Sequence, residues 1–258
     1  MKNIKIAFFD IDGTMIDMNR KEISEKMLET LRRLKENNIL ICMATGRTTT
    51  CLPNIPGIEF DAFLTFNGSY CFNKQESIYG HCIPKADVEQ ILANAKKMRR
   101  AVSIATIDRL AANGRDDDLA EYYRFAKLEL EVSEDFEETA KEDIYQIMLS
   151  CRKEEYAQIM DGVQHAKIAA WWDRAVDIIP SEGGKGKGIE EVLKYYHLKQ
   201  EEAIAFGDGN NDIEMLQTVG LGVAMANASD DLKNIANDVC GHVAEDGIYY
   251  YCLQHGLI

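Results

Sequence analysis

The sequence predicts an α/β protein, a doubly wound parallel sheet interrupted by an inserted α+β segment. Three observations lead there. Short apolar runs alternate with amphipathic segments at both ends of the 258-residue chain, which is the pattern of successive βα units. From about 83 to 183 that alternation gives way to one helical stretch followed by several strand-like runs. Pro84 on one side and Ser181-Glu182-Gly183-Gly184 on the other punctuate the change, as Pro and Gly do at chain boundaries. The expected division is a core of 1–82 and 184–258 with an insertion of 83–183.

Taken in order, residues 4–9 read as a strand. Ile23, Met27, Leu28, Leu31 and Leu34 then share one helical face, and Ile39 to Met43 form the next apolar run; together they make a βαβ unit. Ala62 to Phe66 reads as a third strand. In the middle, a helix is expected over Asp87 to Met98, and strands over Val102 to Thr106, Ile144 to Cys151, Lys167 to Trp171 and Val176 to Ile179. Asp116-Asp117-Asp118 reads as a charged loop. Ala203 to Phe206 and Leu221 to Met225 complete the sheet around a helix from about Asp212. Ligands of such sheets bind beyond the carboxyl ends of the strands. Asp10, Thr45, Asn67 and Asp208 each follow a strand, so remote segments can meet in one crevice.

With 46% hydrophobic and 28% charged residues, the composition is that of a globular protein. A formal net charge of −14 argues against a nucleic-acid partner, because such binding draws on Lys and Arg to release counterions from phosphates. The apolar part of MKNIKIAFFDIDG is too short for a signal peptide, and no run approaches membrane-spanning length; the expected location is the cytoplasm, with no membrane partner. The 7 Cys are scattered without a C-x-x-C pair and read as reduced thiols. Two N-x-S sequons, at Asn67 and Asn227, are expected to carry no glycan.

Four segments carry the chemistry: D-I-D-G-T at 10–14, A-T-G-R at 44–47, K-G at 187–188 and G-D-G-N-N-D at 207–212. Paired carboxylates at the end of a buried strand suit a nucleophile and a proton donor. In their order and placement these motifs, followed by GVAMANA and AEDGI, resemble the haloacid dehalogenase-like phosphohydrolases, and within them the Cof-type branch with a large α+β cap on a Rossmann-like core. The sequence departs from that pattern in a Gly-rich E-G-G-K-G-K-G run, in A-N-A where G-N-A is common, and in N-G-S where N-G-A is common.

The resemblance implies that Asp10 is the nucleophile and forms an aspartyl phosphate, and that Asp12 is the general acid and base. It implies Mg²⁺ held by Asp10, Asp208 and the backbone carbonyl of Asp12. It places Thr45, Gly46, Lys187 and Asn211 on the substrate phosphate, with Asp212 either near the metal waters or bracing Lys187. The roles of Arg47 and Asn67 are left open. In the Gly-rich run either Lys185 or Lys187 can point inward, and K-G-I-E-E-V-L favours Lys187.

The activity expected is phosphomonoester hydrolysis of a small phosphorylated metabolite, a sugar phosphate before others. A phosphomutase or phosphotransferase on the same scaffold differs only in the acceptor of the phosphoryl group. A receiver-like signalling module is disfavoured because Asp10 follows the first strand and a large segment is inserted. Lys185 and Lys187 fail the Walker A spacing, the EF-hand register is absent at 207–212, and the 5 His have no metal-ligand spacing.

Overall fold

The computed structural model describes residues 3–20 and 22–258; residues 1, 2 and 21 of the expected N-terminal core segment lie outside it. The chain begins with β1 (Ile6–Phe9), α1 (Glu25–Glu36), β2 (Leu40–Ala44) and β3 (Ala62–Thr65), then turns back through β4 (Tyr70–Phe72) and β5 (Ser77–Gly80). β1 is apolar throughout and wholly buried, as a strand covered on both faces must be. The α1 helix starts where Ser24 Oγ accepts from the Met27 amide at 3.1 Å, and it buries Met27, Leu28, Leu31 and Leu34.

The insertion follows as α2 (Lys85–Lys97), β6 (Val102–Ala105), β7 (Leu110–Ala112), α3 (Asp117–Phe125), α4 (Phe136–Thr139), β8 (Gln146–Ser150), α5 (Tyr156–Ile159), β9 (Ala166–Ala169) and β10 (Ala175–Pro180). The chain re-enters the first layer as α6 (Lys185–Tyr195), β11 (Ala203–Gly207), α7 (Ile213–Thr218), β12 (Leu221–Ala224), α8 (Asp230–Ile235), β13 (Asp238–Val239) and α9 (Gly247–Gln254).

Among the described residues the first sheet has the order β13-β12-β11-β1-β2-β3-β4-β5. The pairs from β13 to β3 are parallel, and β4 and β5 add antiparallel strands at one edge. From β1 the chain winds outward to β2 and β3, returning later on the other side as β11, β12 and β13. The reversal of order therefore falls between β1 and β11, where their carboxyl ends leave a crevice. Phe9 and Phe206, one from each strand, stack with centroids 5.3 Å apart beneath it.

The second sheet, β7-β6-β8-β10-β9, is antiparallel. Its side chains alternate with the strand period of two. Ile147, Leu149, Val176 and Ile178 enter one apolar cluster with Ile91 of α2. Met148 and Ala175 enter another with Tyr122 and Tyr123 of α3 and Phe66 of the first layer. The parity that buries Val176 and Ile178 thus turns Asp177 the other way, with Gln146 beside it.

Two expectations need correction. Asp116-Asp117-Asp118 is not a loop but the start of α3: Asp116 Oδ1 accepts from the Leu119 amide at 2.9 Å, and Asp117 and Asp118 fill the first turn, where the helix dipole favours acids. The strand expected to reach Trp171 ends at Ala169, so both tryptophans lie in the turn before β10.

Candidate active site

Asp10 directly follows β1 and is fixed by its amide, which donates to Phe206 O at 3.0 Å. The chain then closes a tight turn in which the Met15 and Ile16 amides both donate to Ile11 O. Gly13 in that turn has φ +89°, and a Cβ there would overlap the Asp208 carboxylate. Thr14 Oγ1 instead donates to Asp208 Oδ1 at 2.8 Å. The two halves of the core are thereby locked together at the switch point.

Carboxylate oxygens of Asp10, Asp208 and Asp212 lie within 4.8 Å of one another. Lys185 enters this cluster from the first turn of α6, its Nζ 2.6 Å from Asp10 Oδ1 and 2.5 Å from Asp212 Oδ1. Asp212 Oδ2 accepts from the amides of Asp208 and Gly209, at 2.9 and 3.0 Å. Both Asp212 oxygens are thus engaged, and the residue braces the lysine and the 208–212 loop. Asp10 and Asp208 are left to face the cleft.

The electrostatics follow from burial. Desolvation pushes the Asp10 carboxyl up to about 7 against the pull of Lys185, with Asp212 and Asp12 adding to the rise. Asp208 is pushed up to about 8, first by burial and then by Asp10 and Asp212. Burial alone would lower Lys185, but the carboxylates on either side outweigh it and hold the ammonium charged. One cation facing three acids leaves negative charge uncompensated. That surplus, offered by hard oxygen donors, fits a divalent cation of the Mg²⁺ kind.

The sequence reading that Lys187 points inward is overturned. Lys187 Nζ pairs with Glu191 at 2.9 Å and its side chain is 38% exposed, whereas the Lys185 side chain is fully enclosed. Two residues along a helix rotate a side chain to the opposite face. Since α6 starts immediately after Gly184, it is Lys185 that the first turn directs at Asp10.

The other expected residues converge. Asp10, Asp12, Thr45, Gly46, Arg47, Asp208 and Asn211 line one cleft of about 520 Å³ between the two layers. Thr45 Oγ1 accepts from the Arg47 amide at 3.1 Å. Arg47 grips Asp12 through two parallel contacts, Nη2 to Oδ1 at 2.7 Å and Nε to Oδ2 at 2.8 Å. Asn67 is left-handed, with φ 52°, and its amide joins the layers: Oδ1 accepts from Asn211 at 3.0 Å, while Nδ2 donates to Asp177 at 2.9 Å and to Gln146 at 3.2 Å. Gln146 Nε2 in turn donates to Gly46 O at 3.1 Å.

Asp177, Gln146 and Tyr122 were missed from the sequence. Tyr122 donates to Asp177 Oδ1 at 2.8 Å. Burial pushes Asp177 up to about 7 in spite of the hydrogen bonds from Tyr122 and Asn67. A signal was present: A-V-D-I-I-P is an apolar strand with one acid inside it, and such an acid needs partners.

A doubly wound sheet with an acidic cluster at its switch point, a buried lysine among the carboxylates and an α+β cap over the cleft defines a phosphoryl-transfer enzyme. The chain belongs to the haloacid dehalogenase-like hydrolase family, whose model matches residues 7–252. It is a phosphatase of the Cof-type branch of that superfamily. Among its relatives, a 5-amino-6-(5-phospho-D-ribitylamino)uracil phosphatase of Bacillus subtilis is 29% identical over 260 residues, covering 95% of each chain. An HMP-PP phosphatase of Escherichia coli is 25% identical, covering 98% of this chain and 96% of its own. Among solved structures, a subclass IIB sugar phosphatase superposes with a TM-score of 0.92 at 29% identity, covering 98% of this chain and all of its own. No helix of the described residues is long and apolar enough to cross a membrane.

Proposed function

We propose that the chain hydrolyses the phosphate monoester of a small metabolite through an aspartyl-phosphate intermediate on Asp10. The observation that carries this reading is the placement of Lys185 Nζ 2.6 Å from Asp10 Oδ1. An ammonium there counters the rise that burial imposes on the nucleophilic carboxyl, steadies it in the cleft, and offers charge to the incoming phosphate. The similarity to phosphatases acting on sugar and pyrimidine phosphates supports the substrate class.

Asp10 attacks phosphorus, and the bond from phosphorus to the ester oxygen breaks. Asp12 delivers its proton to the departing oxygen, then takes one from the water that cleaves the acyl phosphate, releasing inorganic phosphate and restoring Asp10. Arg47 holds Asp12 by both oxygens, so it must yield as substrate enters; the phosphate dianion is the natural competitor for its guanidinium. Thr45, Gly46 and Asn211 supply the neutral donors around the phosphoryl oxygens. Asp10, Asp208 and the Asp12 carbonyl would hold Mg²⁺, which when bound neutralises charge shared by phosphate and carboxylates.

The test is Asp10→Asn, which keeps the shape and removes the nucleophile. Phosphate release is expected to fall to background while the circular dichroism spectrum is kept, and wild-type enzyme quenched in acid with labelled substrate should carry one hydroxylamine-labile phosphate on Asp10. A folded variant that still turns over would overturn the assignment.

A further inference from the structure

The core and the insertion meet through a chain of buried amides whose direction is forced. Asn67, Gln146 and Asp177 are all buried. The chain starts at Gly46 O, which can only accept. Gln146 therefore turns its Nε2 there, at 3.1 Å, and its Oε1 toward Asn67. Asn67 meets that oxygen with Nδ2 at 3.2 Å, and the same nitrogen donates to Asp177 Oδ2 at 2.9 Å. Its Oδ1 is left for the core, where Asn211 Nδ2 donates to it at 3.0 Å. An amide nitrogen carries two protons. One from Asn211 goes to Asn67, which leaves the other for the cleft that Asn211 lines.

Asp177 is fixed from its far side. Trp171 Nε1 is a donor only and gives its proton to Tyr122 OH at 2.7 Å, so the Tyr122 proton goes to Asp177 Oδ1 at 2.8 Å and Oδ2 remains for Asn67. Two acceptors of the insertion, a carboxylate and an amide pinned to a backbone carbonyl, impose the same direction on Asn67. The backbone bends to permit this. Phe66, Asn67 and Gly68 all have positive φ, at 50°, 52° and 84°; Asn and Gly tolerate that region, but for Phe it costs free energy that the surroundings must offset. The turn is bonded to the phosphate loop, the Phe66 and Asn67 amides donating to Arg47 O and Thr45 O, both at 3.0 Å. It also lies close against that loop: a Cβ on Gly46 would stand 3.1 Å from both ends of the Asn67 amide and 3.3 Å from Asp177 Oδ2.

Resting on the phosphatase reading above, which puts Asn211 and Gly46 on the substrate phosphate, we infer that Asp177, Gln146 and Asn67 are positioning residues that set the direction of the Asn211 amide and hold the Gly46 peptide. The phosphate site of the core is in this assignment completed by the insertion. Asp177 touches no part of the substrate and acts through Asn67.

The experiment is a double-mutant cycle on kcat/KM with two esters of unlike alcohols, nitrophenyl phosphate and glucose 6-phosphate. It is run at about pH 8, where the Asp177 carboxyl, pushed up to about 7 by burial, is ionised. Asn211→Ala is expected to lower kcat/KM by about 100-fold, the scale of one donor to a transferring group. Asp177→Asn, which lets the amide chain reverse, should lower it by about tenfold. That factor should be the same for both esters, because the relay acts on the phosphate they share. In the Asn211→Ala background the added Asp177→Asn change should cost no more than about twofold, as expected of residues that act through one another. Asn67→Gly suits the left-handed backbone while removing the amide, and it should show the same coupling to Asn211→Ala even where Asp177→Asn fails to fold. Calorimetric titration with inorganic phosphate repeats the cycle without turnover, and the same coupling is expected in Kd. Additive losses, or a loss that falls on one ester and spares the other, would overturn the inference and leave the phosphatase reading standing. Failure of the wild type to release phosphate from either ester would instead strike the phosphatase reading, and the presence or absence of coupling in the phosphate titration would still decide the relay.

Discussion

A helix advances by about 100° per residue, so Lys185 and Lys187 leave α6 on opposite sides, one into the acidic cluster and one into a pair with Glu191. Their removal should separate them. Lys185→Met is expected to lower kcat for phosphate release by at least about 100-fold, the scale of losing one charged donor to a transferring group, and to reduce stability because it strands Asp10 and Asp212. Lys187→Met should stay within about twofold of wild type on both counts, as exposed ion pairs contribute little. The carboxylates and their spacing were readable in D-I-D-G-T and G-D-G-N-N-D because those residue types have few other reasons to follow a buried strand. The lysine was not, since E-G-G-K-G-K-G admits a helix start at more than one position. Only the backbone at Gly184, with φ 117°, decides which one occurs.

Among the elements, α3 shows how a run of acids becomes a helix start. Asp116 accepts from the Leu119 amide through one oxygen and from Ser150 Oγ, at 2.8 Å, through the other. Asp116→Ala should therefore cost about 1 to 2 kcal/mol in denaturant titrations, and because α3 carries Tyr122 it should also loosen the hydrogen bond from Tyr122 to Asp177. β10 carries a second test. Folding raises the Asp177 carboxyl from 3.8 to about 7, so the native state holds a proton that the unfolded chain has released. That contribution is fully present below about 4 and is lost as pH rises through 7, by about 1.4 kcal/mol per unit over the interval. Asp177→Asn has no such proton, and its stability relative to wild type should climb between pH 4 and 7; a constant difference across that range would contradict the burial argument. The apolar strands and α1 and α2 were plain in the sequence from their periodicity. The antiparallel pair β4 and β5 was not, because three- and four-residue strands containing Gly and Ser carry too little pattern to stand out from a loop.

For the molecule as a whole, the surplus of negative charge at the switch point predicts coupling between cation binding and stability. Chelation should stop phosphate release and Mg²⁺ should restore it, with Ca²⁺ a poor replacement because its larger, looser coordination misplaces the nucleophile. Mg²⁺ should also raise the melting temperature, since it binds the native cluster and not the unfolded chain. Asp208→Asn should abolish that rise, and a rise of equal size in the variant would locate the cation elsewhere. The crossing from the insertion back to the core has a further consequence. It runs through Gly183 and Gly184 and ends one residue before Lys185. A Cβ on Gly184 would run into the Glu214 carboxylate, which already pairs with Lys167 of β9 at 2.6 Å. The seam between the inserted layer and the core layer therefore passes beside the buried Lys185 ammonium. Chimaeras that exchange whole insertions between relatives should tolerate a splice at Ser181 and fail at one placed beyond Gly184, because there the donor's helix phase, and with it the lysine, travels along with the transplanted piece.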